Sequence, residues 1–471
     1  MRERLMHEPC HFYLLPIGGT ATAALAGLLH ESGERVTGVD SALYPPTSDL
    51  LADLGVPVRL GYDPSAIPAD LDTVVIGNAL PRTNVEVQAV LERGLPYVSQ
   101  AACLGERFCA PARSVVVAGT HGKTTTSSLV AHLLFAGGFD PTVAVGGQPI
   151  GGRPWRLGRG GWTVVEGDEY NTAFFDRGPK FLHYHPHLFV VGNVEFDHGD
   201  IYSDLDAILA AFRAGVARVG PDGRVVANLG DGGARAVAEG HPRVLWYGLA
   251  EGAELRCTGW GHRGGRLHAT LAWRGATFDV DVPLVGRHNL DDVMAASACA
   301  LEAGMAPADV ASALAAFPGV RRRLEVVGEA GGVVVVDDFA HHPTAVRLTL
   351  EGARHRFPGR RLVVAFEPRS LTAGRALFFD AYVEAFVKAD LALVAPVFHR
   401  ARLAPEAVLD REALAAAVGA RGGNAVALPL DRPVVDVVSE HLRPGDVILC
   451  MSSGDFGRLT RTLLVRLAER P

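Results

Sequence analysis

Short apolar runs alternate with longer amphipathic stretches along most of this chain. In the first hundred residues, the runs HFYLLP, RVTGVD and TVVIGN are separated by the helix-like segments TATAALAGLLHE and NVEVQAVLERG. Strands that alternate with helices predict a parallel sheet with helices on both faces. The pattern changes between residues 256 and 284, where polar and apolar residues alternate one by one, and there we expect antiparallel strands.

We predict an α/β chain of three domains. A Rossmann-like N-terminal domain is expected in residues 1–111, a central P-loop ATPase-like domain in residues 112–316, and a Rossmann-like C-terminal domain in residues 317–471. A length of 471 residues fits about three domains of ordinary size.

Composition narrows the class of protein. A net charge of −7 argues against a nucleic-acid groove, and no apolar run is long enough to cross a bilayer. The six cysteines are scattered without a Cys-x-x-Cys pair, as in reduced proteins. We therefore expect a cytoplasmic protein that binds neither nucleic acid nor membrane; the sequence leaves its oligomeric state open.

The stretch VVVAGTHGKTTT is typical of a phosphate loop, although it is one residue shorter than the usual form, which would need glycine where Val117 stands. An apolar run precedes the turn and a helix start follows it, so backbone amides and the helix dipole would face an anion. Lys123 would reach the β- and γ-phosphates and Thr124 would bind Mg²⁺. The alternative is a plain glycine turn. The predicted nucleotide contacts are Gly119, Thr120, His121, Gly122, Lys123, Thr124 and Thr125.

Polar residues follow two other predicted strands of the central domain. EGDEY contains Glu166, Asp168 and Glu169, and NVEFDH contains Asn193, Glu195, Asp197 and His198. In a parallel sheet both groups reach the edge that carries the phosphate loop, where carboxylates can hold Mg²⁺. Helix caps and solvated turns are the alternative interpretation.

Further candidates lie on either side of the central domain. In the N-terminal domain Gly18-Gly19 follows the first strand, but Pro16 and Ala23 replace the outer glycines of a dinucleotide fingerprint, so we expect a different nucleotide. Three arginines at positions 321–323 suit phosphate, although two of them can equally form a solvated face. DDFAHHP crowds polar residues at a strand end, which indicates a site. HYHPH is interpreted as a half-exposed strand face rather than a Zn²⁺ site.

The segments GTHGKTTT, EGDEY, NVEFDH, GRHN, FPGVRRR and DDFAHHP, in this order over nearly the full length, resemble the Mur ligase family of peptidoglycan synthesis. The resemblance implies that ATP phosphorylates the carboxylate of UDP-N-acetylmuramate and that an amine then displaces the phosphate. Within the family, GNALPRTN, FEPRS and KFLHYHPH are most similar to the members that add the murein tripeptide L-alanyl-γ-D-glutamyl-meso-diaminopimelate.

The resemblance also implies roles for single residues. Lys123 would bind phosphate, Thr124 would hold one Mg²⁺, and Glu166 with His198 would hold another. The remaining contacts to ATP would come from His288, Asn289, Arg323 and Asp338, the last of these to the ribose. The implied catalytic residues are Lys123, Arg323 and His341. The implied substrate contacts are Gly18, Gly19, Asp40, Asn78, Asn193 and Glu195.

Two positions depart from the family pattern. Several relatives use a carbamylated lysine near the place of Arg213, and Asp455 stands where glycine is expected. Two other functions stay open: a ligase that adds only L-alanine to the same nucleotide sugar, and an ATP-binding sensor of cell-wall precursors without turnover.

Overall fold

The computed structural model describes residues 8–199 and 201–469, which form three successive α/β units, each with its own main sheet. The predicted fold class is therefore confirmed. The predicted limits of the domains fall between the sheets and stay predictions. Within the described residues no helix is long and apolar enough to cross a membrane.

The N-terminal domain is built on a parallel sheet. Its strands are β1 (His11–Leu15), β2 (Arg35–Asp40), β3 (Val58–Leu60), β4 (Thr73–Ile76) and β5 (Tyr97–Ser99). Its helices are α1 (Thr20–Glu31), α2 (Thr47–Asp53), α3 (Val85–Glu92) and α4 (Gln100–Leu104), with short turns of helix at Pro64–Ala66 and Gly105–Cys109. The strands lie in the order β3-β2-β1-β4-β5, so the chain changes direction between β1 and β4, where a ligand is expected.

The central domain has the largest sheet. Its strands are β6 (Arg113–Ala118), β7 (Thr142–Ala144), β8 (Trp155–Arg156), β9 (Trp162–Gly167), β10 (Asn171–Ala173), β11 (Asp176–Pro179), β12 (Pro186–Val191), β13 (Arg224–Asn228), β14 (Val244–Gly248), β15 (Leu255–Arg263), β16 (Arg266–Trp273) and β17 (Ala276–Val282). Its helices are α5 (Lys123–Ala136), α6 (Leu205–Val216), α7 (Gly232–Ala238), α8 (Arg287–Glu302), α9 (Pro307–Ala315) and the short Lys180–His183.

Ten of these strands form one sheet in the order β17-β16-β15-β14-β13-β12-β6-β9-β7-β8, and β10 and β11 form a separate hairpin. Strand β6 lies between β9 and β12 and runs parallel to both. The antiparallel strands predicted for residues 256–284 are confirmed as β15, β16 and β17, which extend one edge of the sheet.

The C-terminal domain repeats the alternation of strand and helix. Its strands are β18 (Glu325–Ala330), β19 (Val333–Asp338), β20 (Leu362–Phe366), β21 (Leu391–Val394), β22 (Ala425–Ala427) and β23 (Val447–Met451). Its helices are α10 (Pro343–Arg356), α11 (Phe379–Phe386), α12 (Arg411–Ala420), α13 (Val434–Glu440) and α14 (Leu459–Ala468), with short turns at Ala376–Phe378, Arg400–Arg402, Pro405–Ala407 and Phe456–Arg458. The order is β18-β19-β23-β20-β21-β22, and only β18 is antiparallel to its neighbour.

The N-terminal and central domains share a hydrophobic core that runs from the helices of the first sheet into the second. Trp155 on β8 packs on α1 at Gly27, where a Cβ atom would lie 2.1 Å from the indole ring. The indole N–H also donates to Glu31 at 3.1 Å. Only glycine allows this close approach of helix and ring.

The C-terminal domain rests on the central domain next to the phosphate loop. The backbone N–H of Arg321 donates to Gln148 at 2.9 Å, and the N–H of Ile150 donates to Gly319 at 3.1 Å. The hydroxyl of Thr344 on α10 donates to Glu195 at 2.9 Å. These contacts bring the strand ends of both domains to one cleft.

Candidate active site

The phosphate loop joins β6 directly to α5, as predicted. Gly122 has φ +79°, and a Cβ atom there would lie 2.3 Å from the carboxylate of Asp292 behind the loop, so the position requires glycine for conformation and for space. The side chain of Asn193, after β12, both accepts from the N–H of His121 at 2.8 Å and donates to its carbonyl at 3.1 Å. Asn193 therefore shapes the loop, a role that the sequence analysis missed; its predicted substrate contact stays a prediction.

Lys123 is held by Glu169, one of the three carboxylates of EGDEY, to which the sequence assigned no role of its own. Its ammonium donates to both oxygens of Glu169, at 2.8 and 2.9 Å. Burial opposes the charge on Lys123, but Glu169 and nearby carboxylates outweigh it and raise the pKa of the lysine. The lysine is therefore charged and can exchange Glu169 for a phosphate of similar charge.

Thr124 and Glu166 lie together, although the resemblance assigned them to different Mg²⁺ ions. The Thr124 hydroxyl is 3.0 Å from both Glu166 oxygens, and the N–H of Gly146 donates to the same carboxylate at 2.8 Å. Burial raises the pKa of Glu166, because a carboxylate without a cation is costly here. This is the environment in which a divalent cation would stabilise the charged form.

His198 lies beside Glu169 rather than beside Glu166. Its Nε2 is 2.7 Å from Glu169, and its Nδ1 is buried with no hydrogen-bond partner among the described residues. Burial would lower the pKa of His198, but the hydrogen bond to Glu169 raises it overall. Carboxylates, a hydroxyl and an imidazole with a free nitrogen fit Mg²⁺ chemistry, so the predicted metal ligands are compatible with this site and stay a prediction.

Asp168 turns away from the phosphate loop toward Lys180, whose ammonium donates to it at 2.7 Å. Burial opposes ionisation, but Lys180 and Lys123 lower the pKa of Asp168 to about 2. Both side chains, with Glu166, line a cavity of about 60 Å³ that also touches the N-terminal domain at Ala21 and Gln100. The cavity connects the carboxylates beside the phosphate loop with the domain that is expected to bind the nucleotide sugar.

The opposite wall of the cleft is basic. Arg323 lies 3.5 Å from the Thr124 hydroxyl and stacks over the ring of Phe339 at 5.0 Å. His288 is 3.1 Å from the side-chain amide of Asn289, and burial together with Arg323 lowers the pKa of His288 to about 4. A neutral imidazole and a fixed guanidinium beside the loop are consistent with the predicted contacts to ATP.

Asp338 and His341 lie at the end of β19, as predicted. The Asp338 carboxylate accepts from the N–H of Leu324 at 2.7 Å and from that of Ala340 at 2.8 Å, so it fixes two loops of the site. The Nδ1 of His341 is 3.1 Å from the carbonyl of Phe339, and burial lowers the pKa of this histidine. The ribose contact of Asp338 and the catalytic role of His341 stay predictions.

The N-terminal site lies at the reversal between β1 and β4. The N–H of Gly18 donates to the Asp40 carboxylate at 2.8 Å, and Gly19 directly precedes α1. Asn78 follows β4 and is exposed. Gly18, Gly19, Asp40 and Asn78 thus share one sheet edge, where an anionic ligand would meet the start of α1.

The histidines of HYHPH do not form the strand face that we predicted. Only His187 lies in a strand; His183 pairs with Asp176 at 2.7 Å, and His185 lies 3.3 Å from Glu106. The prediction was wrong because the short helix at Lys180–His183 precedes β12. The expectation that these three histidines form no Zn²⁺ site stays a prediction.

Three charged side chains and one aromatic ring of the C-terminal domain form an outer cluster, which we define as Arg369, Asp455, Glu367 and Phe398. The Arg369 guanidinium lies 3.4 Å from Glu367 and 3.4 Å from Asp455, and it stacks on Phe398 at 4.0 Å. The outer cluster lies on loops after β20, β21 and β23, at the same sheet edge as His341. Asp455, which departs from the expected glycine, thus has a direct charged partner.

Asp292 gives a prediction about pH. It is buried, accepts from Thr126 at 2.9 Å, and burial raises its pKa to about 8. The folded protein therefore keeps a proton here that the unfolded chain releases near pH 4, and stability falls as pH rises through this window. Asp292→Asn, which is always neutral, should exceed the wild type by roughly 5 kcal/mol in free energy of unfolding at pH 8, and by only about 1 kcal/mol at pH 5.

Urea unfolding at both pH values measures this difference. Asp222→Asn, at an exposed position, is the matched control and should give the same small change at each pH. An Asp292→Asn variant whose advantage does not grow between pH 5 and pH 8 would contradict the buried, protonated carboxyl.

Arg213 gives a second prediction. It is exposed on α6, and its Nε donates to the carbonyl of Ala236 at 3.3 Å, so it turns toward α7. Since arginine is not carbamylated, activity should be equal in CO₂-depleted buffer with and without added bicarbonate, and Arg213→Ala should lose little turnover. A several-fold recovery with bicarbonate would instead indicate a carbamylated lysine, and Lys180 beside Asp168 would be the residue to test.

Three family descriptions match successive parts of the chain. "Mur ligase family, catalytic domain" matches residues 11–110, "Mur ligase middle domain" matches residues 162–300, and "Mur ligase, glutamate ligase domain" matches residues 322–454. The three matches follow the three sheets in order.

The proteins that this chain is similar to include ligases whose names specify different amines. The chain is 36% identical over 467 residues to the UDP-N-acetylmuramate–L-alanyl-γ-D-glutamyl-meso-2,6-diaminoheptandioate ligase of Escherichia coli (strain K12), which covers 97% of this chain and 98% of the relative. It is 38% identical over 467 residues to the UDP-N-acetylmuramate–L-alanine ligase of Kineococcus radiotolerans, with 97% and 96% covered. The crystal structure of a murein peptide ligase from Psychrobacter arcticus 273-4 has a TM-score of 0.76 at 30% identity, covering 98% of this chain and 99% of that one.

A phosphate loop, carboxylates beside it and an arginine from a facing domain define an enzyme that uses a nucleoside triphosphate. The matches then give the family: the chain belongs to the Mur ligases. Members of this family are ATP-dependent ligases that form amide bonds, so the ligase class and the use of ATP expected from the sequence are confirmed.

Proposed function

We propose that this Mur ligase joins UDP-N-acetylmuramate to the murein tripeptide L-alanyl-γ-D-glutamyl-meso-diaminopimelate. The observation that carries the proposal is the outer cluster of Arg369, Asp455, Glu367 and Phe398. The tripeptide has several carboxylates and a second amine far from its reacting amine, and an arginine and a carboxylate side by side can bind both kinds of group. L-Alanine offers only one carboxylate, next to its amine.

The first half of the reaction takes place at the phosphate loop. The muramyl carboxylate attacks the γ-phosphorus of ATP, ADP leaves, and an acyl phosphate forms. Lys123, released from Glu169, would neutralise the charge that grows on the phosphates, and Arg323 would do so from the facing domain. Two Mg²⁺ ions, one held by Thr124 and the other by Glu166 with His198 when bound, would supply further positive charge at the transferred group.

The second half joins the amine. The peptide nitrogen attacks the acyl carbon, the tetrahedral intermediate expels phosphate, and the nitrogen loses a proton. His341, whose pKa is lowered by burial, is neutral at neutral pH and is the proposed acceptor of that proton. The rest of the catalysis is positioning of the three substrates between three domains.

A comparison of two amines tests the proposal. Phosphate release from ATP and UDP-N-acetylmuramate would be measured with L-alanine and with the tripeptide offered separately, each against a sample without amine. We expect the kcat/KM for the tripeptide to be roughly 100-fold or more above that for L-alanine, because L-alanine would leave the charged groups of the outer cluster without a partner. Faster turnover with L-alanine would assign the function of the Kineococcus relative instead.

Membership of a family of ATP-dependent ligases argues against the other alternative from the sequence, a sensor without turnover. The four residues of the loop and metal set, Lys123, Thr124, Glu166 and His198, form a contiguous group with Glu169. A protein that only binds a nucleotide does not need all four of these residues, so their presence together supports a catalytic function. Absence of phosphate release with either amine would favour the sensor.

A further inference from the structure

A second group of metal-ligating side chains lies beside the phosphate loop, apart from the Glu166 and His198 set. It consists of His121 in the loop, Glu195 after β12, and His342 at the start of α10. One ligand atom from each of these three residues lies within 4.8 Å of the other two. His121 and Glu195 belong to the central domain and His342 to the C-terminal domain, so the group spans the cleft.

The geometry points to a bridging site for a divalent transition ion of the Zn²⁺ class, which we propose is bound by His121, Glu195 and His342 and holds the two domains together. Two imidazoles and one carboxylate are an established Zn²⁺ ligand set, whereas Mg²⁺ sites are dominated by oxygen ligands and this group offers two nitrogens against one carboxylate.

The distances already approach those of a metal site. The Nε2 of His121 lies 3.4 Å from the Oε2 of Glu195. Two ligands on a tetrahedral zinc ion stand roughly 3.4 Å apart, given metal–ligand bonds of about 2.1 Å. The ligand atoms of all three residues lie within 4.8 Å of one another, so the widest separation would have to shrink by up to roughly 1.4 Å, within the range of side-chain adjustment.

His342 supplies an independent sign that a ligand belongs here. It is 6% exposed, and its Nε2 has no hydrogen-bond partner among the described residues. A buried polar atom without a partner is costly in a native protein. A metal ion between the three residues would give this nitrogen the partner that it lacks.

Metal binding would change the position of the ring proton on His342. His342 Nδ1 accepts a long hydrogen bond of 3.3 Å from the N–H of Thr344, so the ring proton is at Nε2. On metal binding this proton moves to Nδ1 and the contact from Thr344 is lost. His121 makes the same shift, because its Nε2 donates to Glu195 in the metal-free protein. Glu195 needs no change, since the hydrogen bond to His121 lowers the pKa of Glu195 to about 2.

The surroundings support a bound ion. The hydroxyl of Thr344 donates to the same Glu195 oxygen at 2.9 Å and so orients the carboxylate. The Glu195 side chain is 38% exposed and that of His121 18% exposed, which leaves a path for the ion and room for a water as fourth ligand. Because the ion would bind both domains, it would stabilise the closed cleft and oppose the opening that product release requires.

Metal titration of the nucleotide-free protein tests the site, with excess Mg²⁺ present to fill oxygen-rich sites. Zn²⁺ binding would be followed by calorimetry and Co²⁺ binding by its visible absorption. His342→Asn keeps a side chain that can cap α10 but removes the ring nitrogen, and Glu195→Gln removes the charge. The matched control is His185→Asn, since His185 is a surface histidine that faces a single glutamate, Glu106.

We expect one tightly bound equivalent of Zn²⁺ or Co²⁺ in the wild type and in His185→Asn. Binding should be at least roughly tenfold weaker in His342→Asn and in Glu195→Gln, as is usual when one metal ligand or its support is lost. Small-angle scattering should show that Zn²⁺ reduces the radius of gyration of the wild type and of His185→Asn, but not that of His342→Asn or Glu195→Gln. Equal affinity of wild type and His342→Asn, or no tight equivalent at all, would overturn the proposal.

Discussion

Replacing Lys123 by alanine should lower ATP turnover by roughly 10²–10³-fold, the usual cost of losing a fixed positive group that stabilises a transition state. The fold should survive, because Glu169 keeps a second partner in His198 at 2.7 Å after the ammonium is removed. Phosphate release under saturating substrates measures the loss, and circular dichroism checks the fold.

The chain offers a matched control for this change. Lys388 lies on the surface 3.5 Å from Glu351, far in sequence from the phosphate loop, and Lys388→Ala should keep normal turnover. A Lys123→Ala enzyme that retains more than a tenth of the wild-type rate would mean that the loop does not hold the triphosphate as we propose.

Replacing Arg369 by alanine should raise the KM for the tripeptide by roughly 10–100-fold, as expected when a charged hydrogen-bonding partner of the substrate is removed. The KM for ATP should change little, since Arg369 belongs to the outer cluster and not to the phosphate loop. Steady-state kinetics with each substrate varied in turn separates these two effects.

Arg432 provides the comparison. It forms a surface pair with Glu440 at 3.2 Å, so Arg432→Ala also removes one paired guanidinium from the C-terminal domain. An equal KM for the tripeptide in wild type and Arg369→Ala would exclude the outer cluster as the peptide site, even if the enzyme uses the tripeptide.

The sequence predicted the architecture well because its signals are local. Alternating strands and helices, the loop of Gly119 to Thr124 and the polar strand ends all follow from short stretches of chain. Their common position at one edge of the sheet follows from parallel strand pairing, because Ala118 at the end of β6 lies opposite Gly167 of β9 and Val191 of β12.

Partner choice within the site could not be predicted in the same way. EGDEY offers three carboxylates within four residues, and the backbone turn after β9 decides that Glu166 meets Thr124, Asp168 meets Lys180 and Glu169 meets Lys123. These pairings depend on side-chain directions and on the distant segment that supplies Lys180. Sequence spacing contains neither.

The contact between the C-terminal and central domains could not be predicted from the sequence either. Thr344 and Glu195 are 149 residues apart, and nothing in either local pattern indicates that one would donate to the other. The strand prediction for HYHPH was wrong because of the short helix Lys180–His183. A single turn of helix has too few residues to show a hydrophobic period in the sequence.

The packing of Trp155 against Gly27 of α1 has a consequence for how the chain melts. Because one continuous core joins the first two domains, heat should disrupt them as a single cooperative unit. The C-terminal core draws on Val285 and otherwise on residues from Leu324 onward, so it can lose its order separately. A scanning calorimeter should therefore record two transitions rather than three, and a bulky residue in place of Gly27 should split the larger one.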